Sequence, residues 1–370
     1  MTTVLISGAG VAGPTLAYWL ARNGFEPTVV ERAEGLRSSG NPVDIRGQAM
    51  SIVERMGAVP ALRAAATTAS AMSLIDASGR EVVRIPMAGA GGTGTEIEIP
   101  RTDLAAILYD VAKGDAEWMF HDSITELEQD ANGVEVTFEH AAPRRFDLVI
   151  GADGLHSNVR RLAFGPERDY VQHLGMYIAT VSFDRPADEP EVVQLFNTPG
   201  RLVAIHPSRD NAGAAFIFRH ETVDDLDYRD PQQHKRIVTA AYEGAGWRVP
   251  ELLGVLRDAD DVYFDGVSMV RMPAWSRGRI VLLGDAASCV SLFGDGSTNA
   301  IIAAYDLAHQ LAETDHANAF RRYEAEHRKR IEPRQRAVGR SAAMLVPKTQ
   351  LGIAVRNLAA RALPVLSGRA

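Results

Sequence analysis

The 370-residue chain carries 47 acidic against 39 basic side chains, a formal net charge of −8, with 46% apolar residues and one cysteine. Its length suits two domains of roughly 100 to 200 residues, and its apolar fraction excludes a disordered chain. The mildly acidic balance argues against a general nucleic-acid or anionic-membrane binder, which would need clustered Lys and Arg, and favours a small-molecule partner. Cys289 alone allows no internal disulfide, and no Cys/His spacing suits zinc, so no metal site is expected.

Met1-Thr2-Thr3 runs straight into Val4-Leu5-Ile6, which reads as a first strand rather than a signal peptide. With the lone cysteine, this gives the expectation of a reducing, cytoplasmic setting. Met344 to Leu366 is apolar but interrupted by Lys348, Arg356, Arg361, Pro347 and Pro364, so no membrane span is expected.

In chain order, Val4 to Ser7 reads as a buried strand, Gly13 to Asn23 as a helix and Pro27 to Glu31 as a second strand, which together make a βαβ unit. Met72 to Ile85 holds a strand pair around Ala77-Ser78-Gly79. Gly89 to Gly94 is a glycine-rich loop, Glu96 to Ile99 a short strand and Arg101 to Lys113 a helix. Glu117 to Val149 reads as a meander around an Asn132-Gly133 turn, with Phe146 to Ile150 as its last strand. Strands at Met176 to Phe183, Glu191 to Phe196, Leu202 to His206 and Ala214 to Phe218 predict a separate antiparallel sheet. A helix at Gln232 to Glu243 and strands at Val262 to Val270 and Arg279 to Leu283 follow. Helices at Gly296 to Leu311 and Asn318 to Met344 then complete the pattern.

Three motifs carry chemistry. Gly8-Ala9-Gly10-Val11-Ala12-Gly13 lies between a strand and a helix, with Glu31 ending the next strand. Such glycines make a tight turn that a pyrophosphate can approach, and a carboxylate about 20 residues on accepts hydrogen bonds from a ribose. An acid there suits the free 2′-hydroxyl of FAD or NAD rather than NADP. The second motif is Gly151-Ala152-Asp153-Gly154 with Arg160 downstream. The third is Gly284-Asp285-Ala286-Ala287, followed by Gly294-Asp295-Gly296-Ser297 opening a helix. Read singly, these two are a strand-to-turn junction and a helix cap, although Asp285 could bind a polyol and the helix start an anionic ring edge.

In this order the three motifs resemble FAD-dependent monooxygenases of the p-hydroxybenzoate hydroxylase type, the single-component aromatic hydroxylases. Ala17-Tyr18-Trp19-Leu20, Pro42-Val43-Asp44-Ile45-Arg46-Gly47 and Gly284 to Cys289 look most like the tetracycline-inactivating and antibiotic-tailoring branch. The resemblance implies an α/β fold. A Rossmann-like FAD-binding domain would take residues 1–72, 98–172 and 268–315, a mostly antiparallel substrate sheet 73–97 and 173–267, and a C-terminal helical segment 316–370.

The resemblance also implies site residues. The turn Gly8, Gly10, Val11, Ala12 and Gly13 would hold the FAD pyrophosphate, and Glu31, with Arg32 beside it, the adenosine ribose. Arg46 would lie near the flavin ring and Arg101 near the phosphates and ribityl chain. Asp285 would contact the ribityl or pyrophosphate region, and Gly294, Gly296 and Ser297 the flavin N1/O2 edge. Asp153, Gly154 and Arg160 belong to a motif associated with FAD and transient NAD(P)H. The plainer reading of Arg46, Arg101 and Arg160 is a surface ion pair.

The chain departs from the family in Val290-Ser291-Leu292-Phe293, which lacks the usual Pro, and in Asp295, which stands where Gln is usual and is expected to point to solvent. On the substrate side, strand alternation puts Ala214, Phe216 and Phe218 on one face, chosen as the pocket, and Ala215, Ile217 and Arg219 on the other. Gln194 and Arg201 are candidate polar contacts and His206 a candidate proton relay. The implied reaction consumes NAD(P)H and dioxygen and hydroxylates an aromatic or polyketide-like small molecule through a flavin hydroperoxide, in a monomer or homodimer. Alternatives are an FAD-dependent dehydrogenase or oxidase on the same scaffold, or a non-catalytic flavin- and ligand-binding protein. No Ser/His/Asp order or nucleophile elbow favours hydrolysis, and no Trp-x-Trp-x-Ile-Pro stretch favours a halogenase.

Overall fold

The computed structural model describes residues 1–36, 41–87, 96–183, 185–208, 212–223 and 225–367, so the glycine-rich loop at Gly89 to Gly94 lies outside the described residues. Two large sheets organise the chain. The first has six strands in the order Ser276–Arg277, Ile280–Leu282, Leu148–Gly151, Thr2–Ser7, Phe25–Glu31, Glu117–Phe120, parallel except at the Ser276–Arg277 edge. Its central strand buries Val4, Leu5 and Ile6 completely, as a strand covered on both faces must. The helix Ala12–Arg22 buries every residue from Ala12 to Leu20 and packs between the helices Arg101–Ala112 and Gly296–Glu313.

The segment read as one meander divides. Only Ile124–Gln129, Val134–Phe138 and Arg144–Phe146 form the antiparallel three-stranded sheet, whereas Glu117–Phe120 and Leu148–Gly151 join the parallel sheet. Their apolar runs fit either pairing, and only long-range contacts with Phe25–Glu31 and Thr2–Ser7 decide it.

The second sheet has seven strands in the order Tyr263–Val270, Val171–Ser182, Gly213–Arg219, Arg201–His206, Val192–Thr198, Ala71–Ile75, Glu81–Pro86. All neighbours are antiparallel except Val192–Thr198 with Ala71–Ile75. Helices Pro231–Ala241 and Val249–Asp258 cover one face, where Phe216 and Phe218 pack with Val203, Ile205, Val238, Tyr242, Leu252 and Leu256. The expected pocket face is therefore core. Gln194 pairs with Ile205 and Arg201 with Phe218, so both belong to this covered side, where Arg201 reaches the carbonyl of Glu243 and Gln194 bonds Glu189. Alternation assigns these residues to one face correctly, but it cannot say which face a helix covers. Of the two covering helices only Pro231–Ala241 is expected from the sequence; Val249–Asp258 is seen only in the fold.

The opposite face carries Ile178, Leu195, Leu202 and Ile217 and packs against Ala342, Val346 and Ala360 near the C-terminus. The C-terminal helical segment is made of two helices, His316–Leu345 and Gln350–Ser367. The first runs from the parallel sheet, where Glu324 accepts from the Trp275 amide at 3.0 Å, to the second sheet, where Arg219 donates to the carbonyls of Val346 and Ala342 at 2.8 and 2.9 Å. Among the described residues no helix is long and apolar enough to cross a membrane.

A second tie between the sheets is His156, in the turn after Leu148–Gly151. Its ring meets Glu167 at 3.0 Å and Asp265, on the second sheet's edge strand, at 3.3 Å. Burial pushes the ring's pKa down, but the hydrogen bonds and charges of Asp265 and Glu167 outweigh it and raise the value to about 9. A pKa raised on folding from 6.5 gives stability that is fully present below pH 6.5 and is lost as pH rises through about 9. The melting temperature should therefore fall more steeply between pH 6.5 and 9 in the parent than in His156→Gln; parallel slopes would contradict the tie.

Candidate cofactor and substrate site

The first motif follows directly from the end of the central strand. Gly8 turns the chain at φ +105°, its amide donating to the Val30 carbonyl at 2.8 Å. A Cβ on Gly8 would stand 2.6 Å from the Ala152 oxygen, and one on Gly13 only 2.0 Å from the Gly8 oxygen, so the protein's own packing demands both glycines. Gly10 differs: a Cβ there would meet nothing within 4 Å. Nothing in the protein requires glycine at that position, whereas a pyrophosphate laid on the backbone does. Val11 and Ala12 bury their side chains, and the helix they open has neither a side-chain cap nor an acid in its first turn, which leaves its amides for an anion. Glu31 sits at the rim of this turn, accepting from the Ala9 amide at 2.9 Å and the Ala33 amide at 3.0 Å. Arg32 beside it is exposed.

The second motif reaches the site through its backbone. The Asp153 carboxylate is taken up by the Ser7 hydroxyl at 3.3 Å, the Val159 amide at 3.0 Å and the Ser157 hydroxyl, and burial raises its pKa against those bonds. Arg160 is fully buried, donating to the Ala286 carbonyl at 3.0 Å, the Leu155 carbonyl at 2.6 Å and Glu167 at 3.2 Å. It is neither a surface ion pair nor open to a ligand, and it braces the second motif against the third. Gly154, half-buried with open space where a Cβ would stand, is the member of this motif that faces outward.

In the third motif the Asp285 carboxylate makes no hydrogen bond or ion pair among the described residues and stands 3.5 Å from where a Gly296 Cβ would be. The Arg101 guanidinium, at the start of Arg101–Ala112, is likewise unpaired there. Burial pushes the Cys289 thiol well above its ordinary range, the charge of Asp285 adding to the rise and that of Arg101 opposing it. Gly294 is packed against Val290, where a Cβ would stand 2.9 Å from the Val290 oxygen, and Ser297 is buried in the first turn of Gly296–Glu313.

Arg46 follows the strand Pro42–Ile45, its amide donating to the Thr298 hydroxyl at 3.3 Å. Its guanidinium pairs with Asp44 and with Asp295 at 3.3 Å, while its Nε is buried without a partner among the described residues. Asp295 therefore does not point to solvent. Its other oxygen meets Arg334 of the long C-terminal helix at 2.8 Å, because that helix crosses directly behind the loop. Burial, aided by Glu98 and Asp295 and opposed by Arg46, raises the Asp44 pKa. His206 donates to the Pro207 carbonyl at 2.9 Å and meets Glu98 at 3.3 Å. Burial pushes Glu98 up, but His206 and Thr67 hold its carboxyl below the usual range.

The model of a family described as FAD binding domain matches residues 1–338. An uncharacterised protein of Mycobacterium tuberculosis strain H37Rv is 41% identical over 334 residues, 88% of this chain and 90% of its own. A flavin-dependent monooxygenase of Legionella longbeachae is 34% identical over 329 residues, 87% and 84% of the two chains. The crystal structure of tetracycline destructase Tet(51) aligns over 100% of this chain and 98% of its own, with a TM-score of 0.84 and 30% identity. The chain belongs to the FAD-binding monooxygenase family.

The monooxygenase uses FAD, and the groups left unpartnered among the described residues suit that cofactor: bare backbone at Gly10, Asp285, Arg101 and the Nε of Arg46. Sequence reasoning missed Asp44, Thr298 and Arg334 around Arg46. Asp44 stands inside the quoted Pro42 to Gly47 stretch, but Arg334 lies on an element whose path no local pattern reveals. The two kinds of glycine predict a split. Gly10→Ala should leave the stability of the FAD-free protein unchanged and weaken FAD binding at least tenfold by fluorescence titration. Gly13→Ala should lower the melting temperature of the FAD-free protein itself, and equal effects of the two would contradict the assignment.

Proposed function

We propose that the monooxygenase hydroxylates an electron-rich aromatic or polyketide-like small molecule, held between the flavin loop and the face of the seven-stranded sheet opposite the helices Pro231–Ala241 and Val249–Asp258. The observation that carries this is Phe293. It lies in the loop between Asp285 and Gly296, yet packs in the same apolar cluster as Ile178, Leu195, Leu202 and Ile217 of that sheet face, with Ala204, Tyr263 and Leu174 at its edge. The likeness to a tetracycline destructase supports a flat, polycyclic polyketide as the ligand class.

In this reading Gly8, Gly10, Gly13 and the amides opening Ala12–Arg22 hold the pyrophosphate, with Arg101 adding positive charge and Glu31 receiving the adenosine ribose. Asp285 takes the ribityl hydroxyls, and Arg46 with the amides around Gly296 and Ser297 faces the ring. Bound FAD supplies hydride acceptance from NAD(P)H and activation of dioxygen. The protein orients the substrate, excludes water with the Phe293 and Ile217 cluster, and manages protons. His206 shares its sheet face with Ala204 and Ala215, because His206 pairs with Gly213 and Ala204 with Ala215. Its contact with Glu98 makes a two-residue path by which a substrate hydroxyl proton leaves the site. On the edge strand of the same sheet, burial raises the pKa of the Tyr263 phenol far above its ordinary value, so it stays neutral and donates to Asp265 at 3.2 Å. A cytoplasmic setting, as expected from the lone cysteine, belongs to the same proposal.

The test is the visible spectrum of the purified protein together with NADPH consumption and labelled-dioxygen incorporation on a panel of phenols, anthraquinones and tetracyclines. Substrate-stimulated NADPH oxidation with one labelled oxygen in the product is expected. An oxidised product without label would replace hydroxylation by a dehydrogenase or oxidase reaction.

A further inference from the structure

We infer that Arg334 is a positioning residue for the flavin site: acting through Asp295, it fixes Arg46 and neutralises the carboxylate that this chain places at the ring edge. This rests on the reading that Arg46 lies against the flavin ring.

Asp295 occupies the N-cap position of Gly296–Glu313 with φ +50°, in the left-handed region that a side chain other than glycine rarely adopts. An aspartate at an N-cap ordinarily accepts from the helix's own amides. Asp295 makes no such cap bond. Its two oxygens go instead to two arginines, Arg46 at 3.3 Å and Arg334 at 2.8 Å. A strained backbone and a forgone cap are both explained if the carboxylate's work is to join those guanidiniums.

Arg334 is itself held at both ends, Nη1 donating to the Arg330 carbonyl at 2.7 Å and Nη2 to Asp295. It directly follows Pro333, inside the helix His316–Leu345, where the missing proline amide leaves the Lys329 carbonyl without its helical donor. The helix is thus locally loosened where it delivers a cation to the loop. On the other side Arg46 is tied to the start of Gly296–Glu313, its amide bonding the Thr298 hydroxyl and that hydroxyl donating to the Asp44 carbonyl at 2.8 Å.

The charges balance in fours: Asp44 and Asp295 against Arg46 and Arg334. Glu98 adds a further negative charge felt by Asp44, and His206 faces Glu98. Without Arg334, two carboxylates would compete for Arg46 and an uncompensated negative charge would stand at the electron-accepting edge, disfavouring the reduced ring. Each pair is partly exposed and modest alone, so the effect belongs to the network.

The experiment measures the flavin midpoint potential and the FAD dissociation constant in the parent holoenzyme and in Arg334→Gln, Arg334→Lys, Asp295→Asn, Arg46→Gln and the Arg334→Gln/Asp295→Asn double variant. Arg334→Gln should bind FAD several-fold more weakly and shift the potential to more negative values. Arg334→Lys should recover most of both, and the double variant should return the potential towards the parent, since removing the carboxylate removes the need for the cation. A parent-like potential and affinity in Arg334→Gln would overturn the inference, as would a double variant no better than the single. If Arg46→Gln changes both quantities and Arg334→Gln neither, only the role of Arg334 fails. If Arg46→Gln changes neither, the placement of Arg46 at the ring fails and takes this inference with it.

Discussion

The structure depends on one close approach of backbone to backbone: Gly13 against the carbonyl of Gly8, and Gly8 against the carbonyl of Ala152. With 2.0 and 2.6 Å available to a Cβ at these two points, only glycine lets the first helix leave the first strand at that angle while the second motif lies alongside. Arg160 then continues the chain of contacts, reaching from the second motif to the Ala286 carbonyl of the third. Segments some 130 residues apart in sequence thus meet at one end of a parallel sheet, where open α/β sheets bind their ligands. Glycine and Arg160 hold the three turns together, while Asp285 and the Nε of Arg46 have no hydrogen-bond partner among the described residues.

Residues near one another in sequence made this arrangement readable. A buried apolar strand, a glycine turn, a helix and an acid at the next strand's end form a local pattern, and the structure places them as the pattern predicts. Asp153 and Arg160 show the limit of motif reading. The residue types were right for binding, but Ser7, Ser157, Val159 and Glu167 had prior claim on their side chains, a fact visible only once the chain is folded.

The substrate side was the harder half, for a specific reason. Strand periodicity sorts residues into two faces and is blind to which face is covered. Phe216 and Phe218 are large and aromatic because they fill the space beneath two helices, and the same size made them look like a pocket. The face towards the flavin loop carries Ala204 and Ala215 among Ile178, Leu195, Leu202 and Ile217, and it is this face that the proposed function assigns to the substrate. Asp295 was misplaced for a related reason: its partner Arg334 arrives from a helix 39 residues later, across a tertiary contact that no spacing rule encodes.

The central claim is that three separated turns form one cofactor site, and hydrogen–deuterium exchange with and without FAD tests it most directly. The account predicts simultaneous protection, saturating at one FAD per chain, of the amides in the Gly8 to Gly13 turn, around Gly284 and Asp285, and at Gly294 to Ser297, with no change in the helices Pro231–Ala241 and Val249–Asp258. Protection confined to the first turn, or appearing beneath those two helices, would contradict it.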